Sequence, residues 1–313
     1  MMQLKTNNSQ EIIEELISKA IKHGADSADA VWVKNKSTSA SSRLGKLEQL
    51  NNSDEEQLGL RVFIGKKQSI VSSSDCSPKV FNDIIDRSIK MAKTIPEDPY
   101  VGIAERDQLV KNLPEIDIFD PFEVTTDTLI NSAITCENTA RSVRGITNSE
   151  GASASWNESS VCMATSNGFN RSYKSTGGSL SVSVLAGQSN TGMEVDYDYS
   201  TAVYWNDLKS PEELGNSAAN RAIKRLNAQK IKSGKFPVVY EPRVAKGILG
   251  HLIGGINGIS ASKGTTFLKD KIGKQIFNTN IHIKEEPHRR RGLRSKQCDA
   301  EGLENKTRNL IEK

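Results

Sequence analysis

The sequence predicts an α+β fold: a small N-terminal α/β domain, a central domain of helix plus antiparallel sheet, and an incomplete third β-rich domain. Three observations support this. Apolar residues recur at helical spacing in the first 25 residues, aliphatic residues alternate with serines near residue 180, and prolines cluster between residues 96 and 121. The 313 residues are enough for about two domains of roughly 150 residues each.

Residues 8–95 are predicted to form the N-terminal α/β domain. A first helix is indicated by isoleucines four residues apart, at Ile13, Ile17 and Ile21. Ser9 is a typical N-cap for this helix, and Gly24 is typical of its end because glycine accepts the left-handed conformation. The rest of the domain contains three strand-like runs, at 30–36, 58–64 and 69–73. A second helix is expected to begin at Ser77.

Residues 123–230 are predicted to form the central domain. A helix is expected from about residue 126 to 144, and Ser210 with the proline that follows it is typical of a second helix start. Asn167 and Gly168 are typical of a tight hairpin turn, since both tolerate positive φ. The sheet is indicated by alternation with serines, which places three aliphatic residues on one face: Leu180, Val182 and Val184.

Two further regions flank the central domain. Residues 96–122 are predicted to be a linker, because prolines remove backbone donors and interrupt regular elements. Residues 235–303 are predicted to begin the third domain, with a buried strand at 236–240 and a glycine-rich helix from Pro242. Residues 304–313 are a charged tail without an apolar face.

Composition argues against several classes of protein. The net charge is only +4, so a nucleic-acid-binding surface is not expected. The uncharged stretch 247–262 contains five glycines and is too short to cross a bilayer. The first ten residues lack the apolar core of a signal peptide, and a cytoplasmic location is expected. Four dispersed cysteines without a CxxC pair predict structural thiols.

No catalytic or metal-ligating motif is found. The four histidines are His23, His251, His282 and His288, and none belongs to an HExxH motif. Pro287 interrupts the pair at 282 and 288, so a solvated strand-to-loop segment is favoured there over a metal site. Neither a GxSxG nucleophile motif nor a phosphate-binding GxxxxGK[ST] motif is complete.

Two segments allow a functional interpretation beside a structural one. In an extended strand, Tyr197 and Tyr199 share one face while Asp196 and Asp198 share the other, which fits a peptide-facing groove or ordinary strand packing. The basic run at 288–294 fits a docking site for a phosphate or an acidic partner, or a solvated loop, and no aromatic residues interleave to stack bases.

Several short strings, in this order and spacing, resemble the TldD/PmbA family on its PmbA/TldE side. They are GAD at 24–26, NSEG at 148–151, ATSNGF at 164–169, DYDYS at 196–200, PVVYEPRVA at 237–245, GTTFL at 264–268 and RGL at 291–293. The resemblance extends over about residues 10–303. It implies one of two homologous subunits that assemble into a heterodimeric zinc protease acting on peptides or unfolded proteins.

The resemblance also implies that this chain binds no metal. In the TldD-type subunit, a glycine-rich helix carries HExxxH, whose histidines bind zinc and whose glutamate activates water. Aligned from GTTFL, this chain places Leu249 and Gly254 at the histidine positions and Gly250 at the glutamate position. None of these side chains can bind zinc or move a proton. No catalytic, cofactor-binding or metal residues are therefore expected, and zinc is expected in a TldD-type partner.

Five residues are candidates for contact with a peptide or with the partner: Asn167, Gly168, Tyr197, Tyr199 and His251. Two alternatives to the subunit role remain. One is a regulatory binding module of the DNA gyrase modulator type, and the other is a truncated product without activity. Family chains continue past the string at 299–302, so the chain is expected to be C-terminally truncated, with exposed apolar surface from about residue 236.

Overall fold

The computed structural model describes residues 3–188 and 192–312, with side chains from Ser9 onward. The chain divides into two compact units. The first contains the residues up to Asn227 together with Glu286–Lys306, and the second contains Ala228–Glu285 and the residues from Thr307. The mixture of helices with antiparallel sheet confirms the predicted α+β fold class.

The first unit is organised around a six-stranded antiparallel sheet of order β3-β2-β1-β4-β5-β6. Four strands are unusually long for a globular protein, in which a strand averages about five or six residues. The strands are β1 (Ser27–Arg43), β2 (Lys46–Ile64), β3 (Lys67–Ser73), β4 (Ile146–Thr165), β5 (Asn170–Gln188) and β6 (Gly192–Ala202). Because β1 pairs with both β2 and β4, the predicted N-terminal and central domains share one continuous sheet.

Four helices cover one face of this sheet, two at each end. They are α1 (Gln3–Lys22), α2 (Phe81–Thr94), α3 (Thr126–Ser142) and α4 (Pro211–Lys224). The first pair packs on the start of β1, where Ala28 and Ala30 are buried, and the second pair packs near the end of β1, at Ala40. These β1 residues all have even numbers and no bulge separates them, so both cores lie on the same face.

The sequence predicted several of these features correctly. Gly24, with φ of 102°, follows α1, and the Ser210 hydroxyl accepts the Glu213 N–H at the start of α4 (3.1 Å). The helix predicted at 126–144 is α3. The aliphatic residues of β5 are buried in the second core, as expected from their alternation: Leu180, Val182, Val184 and Ala186.

Two sequence expectations are wrong. Ser9 is not an N-cap, because α1 begins at Gln3 and no proline or glycine between the two residues interrupts the helix. Residues 236–240 are not a buried strand. They form no regular element and pair with no strand of the described residues, and Val239 is 95% exposed. An apolar run is buried only when a partner surface covers it, and none of the described residues does so here.

Residues between α2 and α3, the predicted linker, contain no helix or strand but contact the sheet. Ile116 is buried, and the Ile118 carbonyl accepts the N–H of Thr176 in β5 (3.0 Å). Residues 286–303, which the sequence assigned to the third domain, and residues 304–306 of the predicted tail belong to the first unit. Arg61 joins them to the sheet through an ion pair with Glu301 (3.0 Å).

The second unit contains two helices and a two-stranded sheet: α5 (Pro242–Gly255), α6 (Gly258–Ser262), β7 (Ile283–Glu285) and β8 (Arg308–Ile311). Large apolar side chains are exposed along this unit, as expected from the sequence: Phe236, Val238, Ile253, Ile259 and Phe267. Across the described part of the chain, every helix is too short or too polar to cross a membrane.

Candidate functional site

The helix α5 occupies the position at which the sequence predicted the counterpart of a zinc-binding helix. Pro242 stands in its first turn, where the missing N–H costs nothing. Leu252 is buried, and a Cβ at Gly255 would come 2.9 Å from Leu268 and 3.1 Å from Phe267. Gly255 therefore lets the string at 264–268 pack directly on the end of the helix.

The side chains of α5 do not form a metal site. Leu249 is half exposed and carries only carbon, and open space surrounds the α-carbons of Gly250 and Gly254. His251 is exposed on the same helix and supplies the only imidazole there. Within residues 3–188 and 192–312, no three His, Cys, Asp or Glu residues lie close enough together to hold a metal ion. A zinc ion therefore does not fit the residues of this helix.

Tyr197 and Tyr199 lie on the polar face of the sheet, opposite the helices. Their rings stack with centroids 6.3 Å apart, and the register of β5 and β6 places them beside Ser183 and Ser181. A shallow cavity of about 280 Å³ lies next to Tyr197. Serines and two carboxylates line it, namely Ser41, Ser153, Ser181, Ser183, Glu48 and Glu150.

The two aspartates that alternate with these tyrosines point to the helix-covered face, as the sequence pattern predicted. Asp196 and Asp198 are buried, and their carboxylates accept the N–H groups of Tyr197 and Tyr199 (2.7 and 2.9 Å). These two backbone donors are therefore occupied, and an added strand on β6 would not find them available. A peptide at this surface would contact the tyrosine rings and serine hydroxyls instead.

Asn167 and Gly168 form the predicted turn between β4 and β5. Gly168 has φ of 98°, and the Asn167 amide donates to the Ala104 carbonyl while its oxygen accepts from Thr165. The Asn167 side chain thus connects the turn to the segment between α2 and α3. In this arrangement its polar atoms already have partners within the protein.

The candidate contact residues of the first unit lie at two separate places. Along β4, Thr165 at the hairpin end is twelve residues beyond Ser153, which lies in register with Ser181 beside Tyr199. At about 3.3 Å per residue, the turn and the tyrosines are about 40 Å apart along the strand. His251 belongs to the second unit. Within the first unit, the candidates therefore lie at two places, the turn with Asn167 and Gly168 and the tyrosine pair.

The basic run at 288–294 is held by carboxylates of its own unit. Arg291 pairs with Asp117 (3.0 Å) and Asp207 (3.1 Å), and its guanidinium lies 3.6 Å from the centroid of the Tyr204 ring. Hydrogen bonds from the Tyr204 hydroxyl and from Arg291 lower the pKa of the Asp117 carboxyl to about 2. This run therefore anchors residues 286–306 to the first unit.

Two buried polar groups were not singled out by the sequence. Glu137 of α3 is fully buried and accepts hydrogen bonds from the Leu44 and Gly45 N–H groups and the Ser42 hydroxyl (2.7, 3.0 and 3.1 Å). Burial opposes ionisation, but these donors outweigh it, so the pKa of Glu137 is lowered. The other is Arg171, whose guanidinium donates to the Cys298 sulfur at 3.0 Å. Partners so distant in sequence leave no local pattern that reveals them.

Three family models match successive parts of the chain. They describe PmbA/TldA metallopeptidase domain 1, central domain and C-terminal domain, and match residues 28–92, 119–226 and 233–313. The metalloprotease PmbA of Escherichia coli O157:H7 is 34% identical over 306 residues, which cover 96% of this chain and 68% of that protein. The chain belongs to the PmbA/TldD family. The resemblance predicted from the sequence is thereby confirmed.

Other members of the PmbA/TldD family are also similar to this chain in sequence or in fold. A PmbA homologue of Haemophilus influenzae is 29% identical and is matched over all of this chain and 69% of its own length. A crystallised Bacteroides thetaiotaomicron protein that carries the name modulator of DNA gyrase superposes with a TM-score of 0.89 at 22% identity, covering 96% of this chain and 69% of that one. TldE of Thermococcus kodakarensis superposes with a TM-score of 0.77 at 18% identity, covering 96% and 67%. At these identities the two solved structures establish the fold alone.

Proposed function

We propose that this PmbA/TldD family chain is the non-catalytic, PmbA/TldE-type subunit of a TldD-like zinc metalloprotease heterodimer that acts on peptides or unfolded proteins. The observation that carries the proposal is the composition of α5. Leu249, Gly250 and Gly254 offer no atom that binds zinc or transfers a proton. In this proposal, the TldD-type partner holds the zinc and the activated water. The complex is located in the cytoplasm.

The surface of the second unit supports association with a partner. Its exposed apolar side chains include Val238 at 70%, Ile259 at 66% and Phe267 at 70%. Exposed apolar surface that exceeds single scattered side chains often marks a protein–protein contact. In the first unit, the shallow cavity next to Tyr197 supports contact with peptide substrates. Its serine hydroxyls, its carboxylates and the aromatic ring can all bind an extended backbone.

The test compares the purified chain alone, a TldD-type protein alone, and both after co-expression. Zinc is measured by mass spectrometry and cleavage with an unfolded casein substrate. We expect the isolated chain to contain no stoichiometric zinc and to cleave nothing, and the complex to contain one zinc per heterodimer and to cleave. As a control, replacing the HExxxH glutamate of the partner by glutamine should abolish cleavage without preventing assembly. Stoichiometric zinc and cleavage by the isolated chain would contradict the proposal.

A regulatory binding module is the second candidate, since a structural neighbour is named a modulator of DNA gyrase. The basic run, its only support in the sequence, is less available than the sequence alone indicated, because Arg290 and Arg291 pair with Asp117. Affinity capture with this chain as bait separates the two candidates. Recovery of gyrase without a TldD-type protein would favour the module.

A further inference from the structure

A second cavity of the first unit, of about 390 Å³, lies at the opposite end of the polar face from the tyrosine pair. Its floor consists of Met163 of β4 and Arg171 and Tyr173 of β5, and residues 296–300 form the opposite wall. That wall is held in place by the Arg61–Glu301 ion pair. The cavity size lies within the range of about 300–1,000 Å³ that is usual for small-molecule sites.

Arg171 is a buried cation without a carboxylate partner. It is only 7% exposed, its Nη1 donates to the Cys298 sulfur at 3.0 Å, and its guanidinium lies 4.9 Å from the centroid of the Tyr173 ring. No carboxylate of the described residues lies within ion-pair distance of it. A buried charge is costly unless it is paired. The Nε and Nη2 edge, which matches a carboxylate bidentately, has no partner in the described part of the protein.

A second cation faces the same cavity. Lys296 lies 5.3 Å from the centroid of the Tyr173 ring and 3.5 Å from the Tyr173 hydroxyl, and it too forms no ion pair with a described carboxylate. The one carboxylate in the lining, Asp299, accepts the N–H groups of Glu301 and Leu303 (both 2.8 Å) and thereby closes a turn. Two cations thus face one acid that is already hydrogen-bonded, which makes the cavity attractive to an anion.

The rest of the lining selects among anions. Ile118, Met163 and Ala300 supply apolar wall beside the two cations. A peptide that ends in an apolar residue carries its planar carboxylate and that apolar side chain on a single carbon atom, so its C-terminus matches both parts of the lining at once. Phosphate lacks the apolar part. An internal acidic side chain carries its carboxylate at the tip of the group that would have to contact the apolar wall.

We propose that this cavity binds the C-terminal carboxylate of a peptide. Arg171 is the bidentate partner, Lys296 the second cation, and the apolar wall contacts the last side chain. The peptide as source of the carboxylate rests on the proposed proteolytic function, whereas the carboxylate site itself does not. The site would hold one end of a substrate or product in a subunit that performs no hydrolysis.

Binding is measured by calorimetry on the full chain without a partner. The probes are N-acetyl-alanyl-leucine with a free carboxylate, the same dipeptide as its C-terminal amide, and propionate. We expect the acid to bind about tenfold or more tightly than the amide, because a hydrogen bond to a charged group is stronger than one between neutral groups. Equal affinity for acid and amide would overturn the site. Propionate binding as tightly as the dipeptide acid would overturn the peptide as its source.

Variants identify the residues responsible. Arg171→Gln should remove the preference for the acid, Lys296→Gln should weaken it, and Arg87→Gln on the exposed face of α2 should leave it unchanged. Lys296 is exposed, so its variant tests the site even where Arg171→Gln does not fold. Unchanged acid binding in Lys296→Gln and in any folded Arg171→Gln would overturn the assignment. Since no partner or cleavage is involved, failure here is distinct from failure of the subunit proposal.

Discussion

The two cores of the first unit cover opposite ends of one sheet face but are packed differently. The core beneath α1 and α2 contains large side chains such as Leu16, Phe81 and Ile85. Nine of the fifteen residues in the core beneath α3 and α4 are alanines. There the helices approach closely, since a Cβ at Gly215 would lie 2.5 Å from the Cys136 carbonyl oxygen. One end is stabilised by buried volume and the other by close backbone approach.

The largest effect is expected from removing volume in the first core. Phe81 is fully buried, so Phe81→Ala should lower the free energy of unfolding by about 3–5 kcal/mol. Urea unfolding followed by tryptophan fluorescence is suitable, because all three tryptophans lie in the first unit. The control is Tyr100→Ala, at a side chain that is 90% exposed. A cost below about 1 kcal/mol for Phe81→Ala would contradict packing by volume.

A smaller loss of stability is expected from adding volume, rather than removing it, in the second core. Gly215→Ala improves helix propensity by about 1 kcal/mol, but its methyl group would clash with the Cys136 carbonyl and the Ala140 nitrogen. We expect a net loss of about 1–2 kcal/mol by the same measurement. Gly102→Ala, with open space around the glycine, is the matched control. If Gly215→Ala stabilised the protein, close helix approach would not be limiting there.

The smallest effect concerns the attachment of residues 286–306. Because the pKa of Asp117 is lowered to about 2, its ion pair stabilises the folded protein above the unfolded pKa of roughly 3.9 and is lost as the pH falls toward 2. Asp117→Asn should therefore speed hydrogen exchange at the Arg291 amide, which donates to the Ile116 carbonyl (2.9 Å), at pH 6.

The difference in exchange rate at the Arg291 amide between Asp117→Asn and the unsubstituted protein should become smaller between pH 4 and pH 2. Asp107→Asn, an exposed change in the same segment, should leave the Arg291 amide unaffected at all pH values. A difference that persists undiminished at pH 2 would show that Asp117 acts through something other than its charge.

Local patterns predicted much of this fold because they depend on neighbouring residues alone. The alternation around Leu180 specifies which side chains enter the core, the Ser210-Pro211 pair specifies a helix start, and Asn167 with Gly168 specifies a turn. The same alternation correctly placed the tyrosines and aspartates of β6 on opposite faces. The family strings were likewise readable from order and spacing.

Features that join distant segments were not predictable in this way. The sequence divided residues 8–95 from 123–230, whereas β1 pairs with β4 in one sheet. Backbone hydrogen bonds between strands do not depend on side-chain identity. The pairing of β1 with β4 therefore cannot be predicted from the composition of the two strands. The same holds for Arg171 and Cys298, 127 residues apart, and for Glu137 against the turn at Leu44.

By itself, the sequence determined the fold class, the faces of the central strands, and the absence of zinc-binding side chains at positions 249, 250 and 254, because each depends on residue type or short-range period. Only the tertiary structure decided that the basic run is anchored by Asp117 and Asp207, and that Arg171 faces a cavity and forms no ion pair with a described carboxylate. Charges interact through space, and their partners are set by the folded path of the chain rather than by position along it.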